Sequence, residues 1–217
     1  MKVGILGTGV VGETIGSKLI ECGYEVKMGS RTSNNEKGLA WVTKQRNNAS
    51  SGSFSEAAIF GEIIFNCTKG EHSLAALELA GKEELKGKIL IDVSNPLDFS
   101  KGMPPTLSIV NSDSLGETIQ RTFPEAKVIK ALNTLAAPLM VNPKSLSGGD
   151  HNLFICGNDK EAKEKLSKIL QQFGWLPENI LDLGDITMAR GTEQMLPVWI
   201  RLYGLLGTVN FNFKIIK

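Results

Sequence analysis

Lys2-Val3-Gly4-Ile5-Leu6 leads straight into Gly7-Thr8-Gly9-Val10-Val11-Gly12, and Val11, Ile15, Leu19 and Cys22 then recur at helical spacing over 10–22. A short apolar strand, a G-x-G-x-x-G turn and an amphipathic helix, in that order, form the context in which this glycine pattern binds a dinucleotide. Each glycine has its own task. Gly7 permits the tight turn, Gly9 lets a pyrophosphate approach the backbone, and Gly12 lets the helix pack closely on the strand. The free N–H groups along this turn, with Thr8, Val10 and Val11 between the glycines, and the positive end of the helix dipole hold the phosphates.

Outward from this unit the same rhythm continues. A strand over 24–28 follows Gly23, then come a helix over 36–46, a strand over 62–66, a helix over 71–80 and a strand over 89–93. Strands alternating with helices predict a parallel sheet covered on both faces. Residues 95–111 carry Pro96, Pro104 and Pro105 and read as a long loop, of the kind that is functional or mobile in compact domains. Beyond it the pattern gives a helix over 114–122, a strand over 127–130, a helix over 134–141 and a strand over 152–156. Asn158-Asp159 then caps a helix with apolar Ala162, Leu166, Ile169, Leu170 and Phe173, whose lysines are expected in water and which Gly174 ends. A last strand over 179–183 precedes a final helix from Asp185 to about residue 203, kinked or broken by Pro197. The expected fold is α/β: a Rossmann-type doubly wound, mostly parallel sheet. A dinucleotide-binding domain over 1–184 carries a short C-terminal helical extension over 185–217.

In NAD-binding versions of this unit an Asp or Glu ends the second strand, about 20 residues on, and hydrogen-bonds the ribose 2'-hydroxyl. Here that position reads Gly29-Ser30-Arg31-Thr32, with Glu25 too early and Glu36 too late. A hydroxyl, a guanidinium and a second hydroxyl without a carboxylate suit a 2'-phosphate. The pattern therefore selects NADP(H) over NAD(H). Lys37 is near enough in sequence to reach the same phosphate, although helix lysines commonly face water.

A length of 217 residues fits one domain with a modest appendage. Lys and Arg number 24 against 23 Asp and Glu, a net charge of +1, so no electrostatic footprint for nucleic acid or an anionic membrane is present. The longest uncharged stretches, 131–143 and 202–213, fall short of the roughly 20 apolar residues that cross a bilayer. Met1-Lys2 enters the first strand directly, which leaves no room for a signal peptide, and a cytoplasmic protein is expected. Cys22, Cys67 and Cys156 are odd in number and scattered; they are expected to be buried free thiols, outside any disulfide or zinc site.

Open α/β sheets bind ligands beyond the carboxyl ends of their strands. That places Cys67-Thr68-Lys69, Ser94-Asn95-Pro96 and Asn133 around a nicotinamide. His72 is the titratable group nearest this edge, while His151 follows Gly148-Gly149-Asp150 and reads as a loop residue. There is no HExxH, no G-x-S-x-G and no Cys-His spacing, so no nucleophile, metal centre or catalytic acid–base pair is expected.

Several segments together resemble a known family. They are Gly4 through Gly12, Gly29-Ser30-Arg31-Thr32, Ile91-Asp92-Val93-Ser94-Asn95-Pro96, Val128-Ile129-Lys130-Ala131-Leu132-Asn133-Thr134, Asp182-Leu183-Gly184-Asp185 and Arg190-Gly191-Thr192-Glu193. The chain is similar to the NADPH-dependent oxidoreductases typified by coenzyme F420:NADP oxidoreductase, and more distantly to the reductase domain of the STEAP metalloreductases. What the resemblance implies is hydride transfer between NADP(H) and a flavin or deazaflavin ring, with F420, FMN, FAD or another small molecule as acceptor. Ring-to-ring transfer asks the protein mainly to align the rings and exclude water. An NADP(H)-binding redox sensor without turnover and a reductase of a small imine or keto substrate are the alternatives. Met188, Met195, Leu196, Trp199, Ile200, Tyr203, Leu205, Leu206, Phe211 and Phe213 exceed the apolar content of one surface helix. The C-terminal extension is therefore expected to pack on the sheet edge or on a second subunit, in a homodimer.

Overall fold

The computed structural model describes residues 1–45 and 47–216. Arg46, the expected end of the second helix, and Lys217, the expected end of the C-terminal extension, lie outside the described residues. In chain order the elements are β1 (Lys2–Leu6), α1 (Val10–Glu21), β2 (Glu25–Ser30), α2 (Glu36–Lys44), β3 (Ala49–Ser53), α3 (Phe54–Phe60), β4 (Ile63–Asn66), α4 (Gly70–Ala80) and α5 (Lys82–Leu85). They continue with β5 (Ile89–Asp92), β6 (Leu97–Asp98), β7 (Thr106–Leu107), α6 (Leu115–Thr122), β8 (Lys127–Ala131), α7 (Ala137–Val141), β9 (Leu153–Gly157), α8 (Lys160–Gln172), β10 (Ile180–Asp182), α9 (Ala189–Gln194) and α10 (Leu196–Leu206).

Strand periodicity divides the apolar residues between two layers. Val3 and Ile5 of β1, Ile63 and Phe65 of β4, and Ile89 and Ile91 of β5 join Ile15 and Leu19 of α1, Trp41 of α2 and Leu166 and Leu170 of α8 in one core. Leu6, Ile64 and Leu90 from the same strands pack with Ala57 of α3, Leu77 of α4 and Ile119 of α6 in the other. The sheet runs β10-β9-β8-β5-β4-β1-β2-β3. Its pairings are parallel except β8 with β9, which is antiparallel. This is the doubly wound, mostly parallel sheet, and its strand order reverses at β1, leaving a crevice beyond the carboxyl ends of β1 and β4.

Several sequence expectations are corrected. Residues 49–60 form an edge strand and a helix that the apolar pattern did not show: Ala49–Ser53 carries no large apolar residue. Ser53 starts α3 by a reciprocal cap, Oγ accepting from Glu56 N at 3.1 Å while Glu56 Oε2 accepts from Ser53 N at 2.6 Å. The loop over 95–111 contains the β6–β7 antiparallel pair. Lys163 of α8 does not face water; it is buried, with Nζ 2.8 Å from both Asp182 Oδ1 and the Gly184 carbonyl. The expected break beside Pro197 is present: α9 ends at Gln194 and α10 begins at Leu196, with Pro197 in its first turn, where a missing N–H is harmless. His151 lies in a loop but is buried, with Nε2 3.0 Å from the Pro143 carbonyl and its ring edge-on to Trp175. After α10 the chain returns along 150–152: Asn152 N donates to the Phe213 carbonyl and Asn212 Nδ2 to the Asn152 carbonyl, both at 2.9 Å.

Candidate functional site

The β1–α1 turn is wedged between neighbouring strand ends. Gly7 has φ +120°, a conformation that favours glycine. Its N–H donates to the Gly29 carbonyl at 2.9 Å, and a Cβ there would lie 2.8 Å from the Cys67 carbonyl oxygen. A Cβ on Gly12 would collide with the Gly7 carbonyl. Gly9 differs: it caps α1 in an extended conformation, and apart from its own atoms and its two chain neighbours no atom of the described residues lies within 4 Å of where its Cβ would be. That open space is what a pyrophosphate requires. Glu13 N to the Gly9 carbonyl, 2.9 Å, is the first helical bond, so the amides of Val10, Val11 and Gly12 have no partner within the helix.

Above this turn opens a cavity of about 800 Å³. It brings together Gly7, Thr8, Gly9, Ser30, Arg31, Thr32, Lys37, Cys67, Thr68, Lys69 and His72, all named from sequence, with Asn35, Phe54, Ala75, Ala76 and Leu79. No carboxylate stands among the described lining residues, and Arg31, Lys37 and Lys69 supply three cations. Ser30 Oγ donates to the Thr32 carbonyl at 2.5 Å, closing a turn that leaves Arg31 exposed at its tip. Among the described residues the Arg31 guanidinium forms no ion pair. Asn35 caps α2 by accepting from Gly38 N at 3.1 Å, which sets Lys37 in the first turn, on the same cavity as Arg31. The first-turn amides without helical partners, and cations that form no ion pair and meet no lining carboxylate among the described residues, are chemistry that fits NADP(H).

Sequence reasoning missed the apolar wall, although two signals for it exist. Ser53-Phe54-Ser55-Glu56 has capping-box spacing, which puts Phe54 at a helix start. Ala75, Ala76 and Leu79 follow His72 at the three- and four-residue intervals of one helical face.

Val10, Val11 and Gly12 belong to the first turn of α1 and do not line the cavity; Val10 is 74% exposed. Asn95, Pro96 and Asn133 also lie outside its lining, but a Cβ on Gly70 would collide with the Asn95 carbonyl, so the start of α4 touches the loop after β5. Asn95 Nδ2 donates to the Asn133 carbonyl and Asn133 Nδ2 to Asn95 Oδ1, each at 2.9 Å. Asn133 is buried, and its Oδ1 has no partner among the described residues. Behind this edge Thr68 Oγ1 donates to Asn66 Oδ1 at 2.6 Å, and Asn66 Nδ2 donates to Asp92 Oδ1 at 2.9 Å.

The three cysteines are free, but only Cys156 is fully buried; Cys22 and Cys67 are half-buried, because each sits where an element ends. Burial pushes the Cys156 thiol up to about 12. Burial, reinforced by the nearby Asp92 charge, raises Cys67 further. His72 is exposed, with Nε2 3.6 Å from Glu71 Oε1. Among the described residues no group of three or more His, Cys, Asp or Glu side chains is arranged to hold a metal, and no helix is long and apolar enough to cross a membrane.

Residues 2–96 match the family model described as NADP oxidoreductase, coenzyme F420-dependent. A protein of Arthrobacter sp. FB24 assigned as an F420-dependent NADP-reductase is 51% identical, and its crystal structure superposes over 100% of both chains with a TM-score of 0.94. The chain belongs to the coenzyme F420-dependent NADP oxidoreductase family. The F420-dependent NADP reductase of Methanothermobacter marburgensis is similar at 26% identity over 93% of this chain and 92% of its own length. Metalloreductase STEAP3 of Rattus norvegicus is 33% identical over 91% of this chain. The chain spans only 38% of that relative's length, so the likeness of this family member is to one part of it.

Proposed function

We propose that the protein is an NADP(H)-dependent oxidoreductase that exchanges a hydride with a deazaflavin of the F420 type. The observation that carries this reading is one cavity joining the glycine turn to Arg31 and Lys37 with no carboxylate among its described lining residues. Bound NADPH supplies the hydride; the chain supplies position. The amides of α1 hold the pyrophosphate, Arg31 and Lys37 grip the 2'-phosphate, and Phe54, Ala75 and Leu79 offer an apolar wall to the adenine. Thr68, Asn95 and Asn133 flank the nicotinamide, where the unpartnered Asn133 Oδ1 suits a carboxamide N–H. The names of the family relatives support F420 over FMN or FAD.

Within this reading 1–184 form the cofactor domain, and 185–217 extend it toward a second copy in a homodimeric cytoplasmic protein without nucleic-acid or membrane partners. Support for the second copy comes from α10, where Val198, Leu205 and Leu206 are 54%, 80% and 51% exposed. Light scattering should then give the mass of two chains, and a mass of one chain removes the dimer.

Anaerobic NADPH oxidation with F420, FMN and FAD in parallel tests the acceptor. Fast reduction of F420 with slow or absent reduction of FMN and FAD is expected. Equal rates with all three contradict the deazaflavin assignment, and tight NADPH binding without oxidation by any of them supports the sensor.

A further inference from the structure

Lys130 is a lysine buried completely within β8, yet it is not needed to grip a phosphate and does not line the cavity. Its Nζ lies 2.5 Å from Asp92 Oδ2 and 2.7 Å from Glu193 Oε1, and donates to the Ser94 carbonyl at 2.8 Å. All three charged side chains are buried. Glu193, on α9, accepts from Leu115 N and Gly116 N at the start of α6, at 2.8 and 3.0 Å. Asp92 Oδ1 accepts from Asn66 Nδ2, from Ser94 Oγ at 2.6 Å and from Ser94 N at 3.2 Å. Burial alone would pull the Lys130 ammonium down, but Asp92 and Glu193 outweigh it and keep the lysine charged.

A buried charge cluster is a poor source of stability, because desolvation of its members offsets their attraction, and apolar replacements are often as stable. What such a cluster does supply is direction: its members are correct only in one arrangement. Here every bond on the cavity side ends at the carboxyl edge of the sheet. Asn66 and Asp92 are the last residues of β4 and β5, and Lys130 is the next to last of β8. Ser94 is joined to Asn95, which pairs with Asn133, while Asn66 holds Thr68.

We propose that Lys130, clamped between Asp92 and Glu193, is a positioning residue that fixes the Ser94–Asn95–Asn133 and Asn66–Thr68 edges against the nicotinamide half of the cofactor, and so couples helix α9 to cofactor alignment. The inference rests on the NADP(H) reading of the cavity. It separates the two halves of the cofactor: the adenine half is held at Arg31, just after β2, while among the sheet strands the network reaches β4, β5 and β8 and not β2.

The test compares 2',5'-ADP, which carries the adenine half with its phosphate, with NADPH, which adds the nicotinamide. The variant joins Lys130→Met to Asp92→Asn and Glu193→Gln, so that no charge is left unpaired. Glu193→Gln alone, which keeps the Lys130–Asp92 pair and one of the two acceptors for α6, serves if the triple variant does not fold. In folded variant protein the Kd of 2',5'-ADP should stay within about twofold of wild type. The advantage of NADPH over 2',5'-ADP should fall by about fivefold or more in the triple variant, the worth of one hydrogen bond, and by about twofold with Glu193→Gln. The fluorescence of bound NADPH should move toward that of free NADPH. Unchanged affinities and fluorescence, or equal weakening of both ligands, overturn the positioning role. Wild-type protein that binds neither ligand overturns the NADP(H) reading itself, and the inference with it.

Discussion

Gly12 packs so closely against Gly7 that a methyl group on its α-carbon would overlap the Gly7 carbonyl oxygen. Helix α1 is thereby seated against the turn whose Gly7, Thr8 and Gly9 line the cavity. Gly12→Ala should push the helix away from the strand, with about 1–3 kcal/mol of stability lost to overpacking and a larger loss in NADPH affinity. Thermal denaturation and a binding titration check this together; a variant of wild-type stability and affinity contradicts the seating.

Arg31 stands at the tip of a turn that Ser30 and Thr32 close, and its charge is unspent among the described residues. Charge-assisted hydrogen bonds are worth about 1.5–3 kcal/mol. Arg31→Ala should therefore weaken NADPH by roughly ten- to a hundredfold while leaving NADH nearly unchanged. Calorimetry with both nucleotides measures the ratio, and an unchanged ratio removes Arg31 from the 2'-phosphate site.

Much of this was legible in the sequence because it was written in short-range patterns. The strand-turn-helix at Lys2 to Cys22 and the acid-free Gly29-Ser30-Arg31-Thr32 carry their geometry in adjacent residues, and the cavity gathers them. Ala49–Ser53 was not legible because an edge strand of small residues has no apolar alternation to reveal it. The antiparallel setting of β9 depends on how 137–152 cross the sheet, which no local pattern encodes. Lys130 belongs to the family-like segment 128–134, but a lysine among apolar strand residues shows neither its burial nor its distant partners, since Asp92 and Glu193 are far from it in sequence.

Cys67 borders the cavity, yet burial and the Asp92 charge hold its thiol well above the ordinary range. Only the thiolate is a good nucleophile. At neutral pH Cys67 should react with iodoacetamide at least about tenfold more slowly than a free cysteine peptide, and faster as pH rises. Mass spectrometry of the alkylated protein decides this; labelling at the rate of the free peptide contradicts the assigned environment.

Arg190 donates to both carboxylate oxygens of Glu117, at 2.8 and 2.5 Å, tying α9 to α6. This fork, opposed by burial and aided by Ser114, holds the Glu117 carboxyl below its usual value. A carboxylate with a depressed native pKa contributes stability above its unfolded pKa and loses it as pH falls through the native one. Because Arg190 is partly exposed, Glu117→Gln should cost about 1 kcal/mol at neutral pH, and the gap from wild type should close in acid. Denaturant melts at several pH values follow this directly, and a gap that widens in acid contradicts it.

Direct passage of hydride between the two rings is the core of the proposed activity. With NADPH deuterated on the transferring face of C4 and F420 as acceptor, the deuterium should appear in the reduced deazaflavin at close to one atom per NADPH oxidised. Deuterium lost to water, or an F420 that stays oxidised while NADPH is bound, would contradict the account.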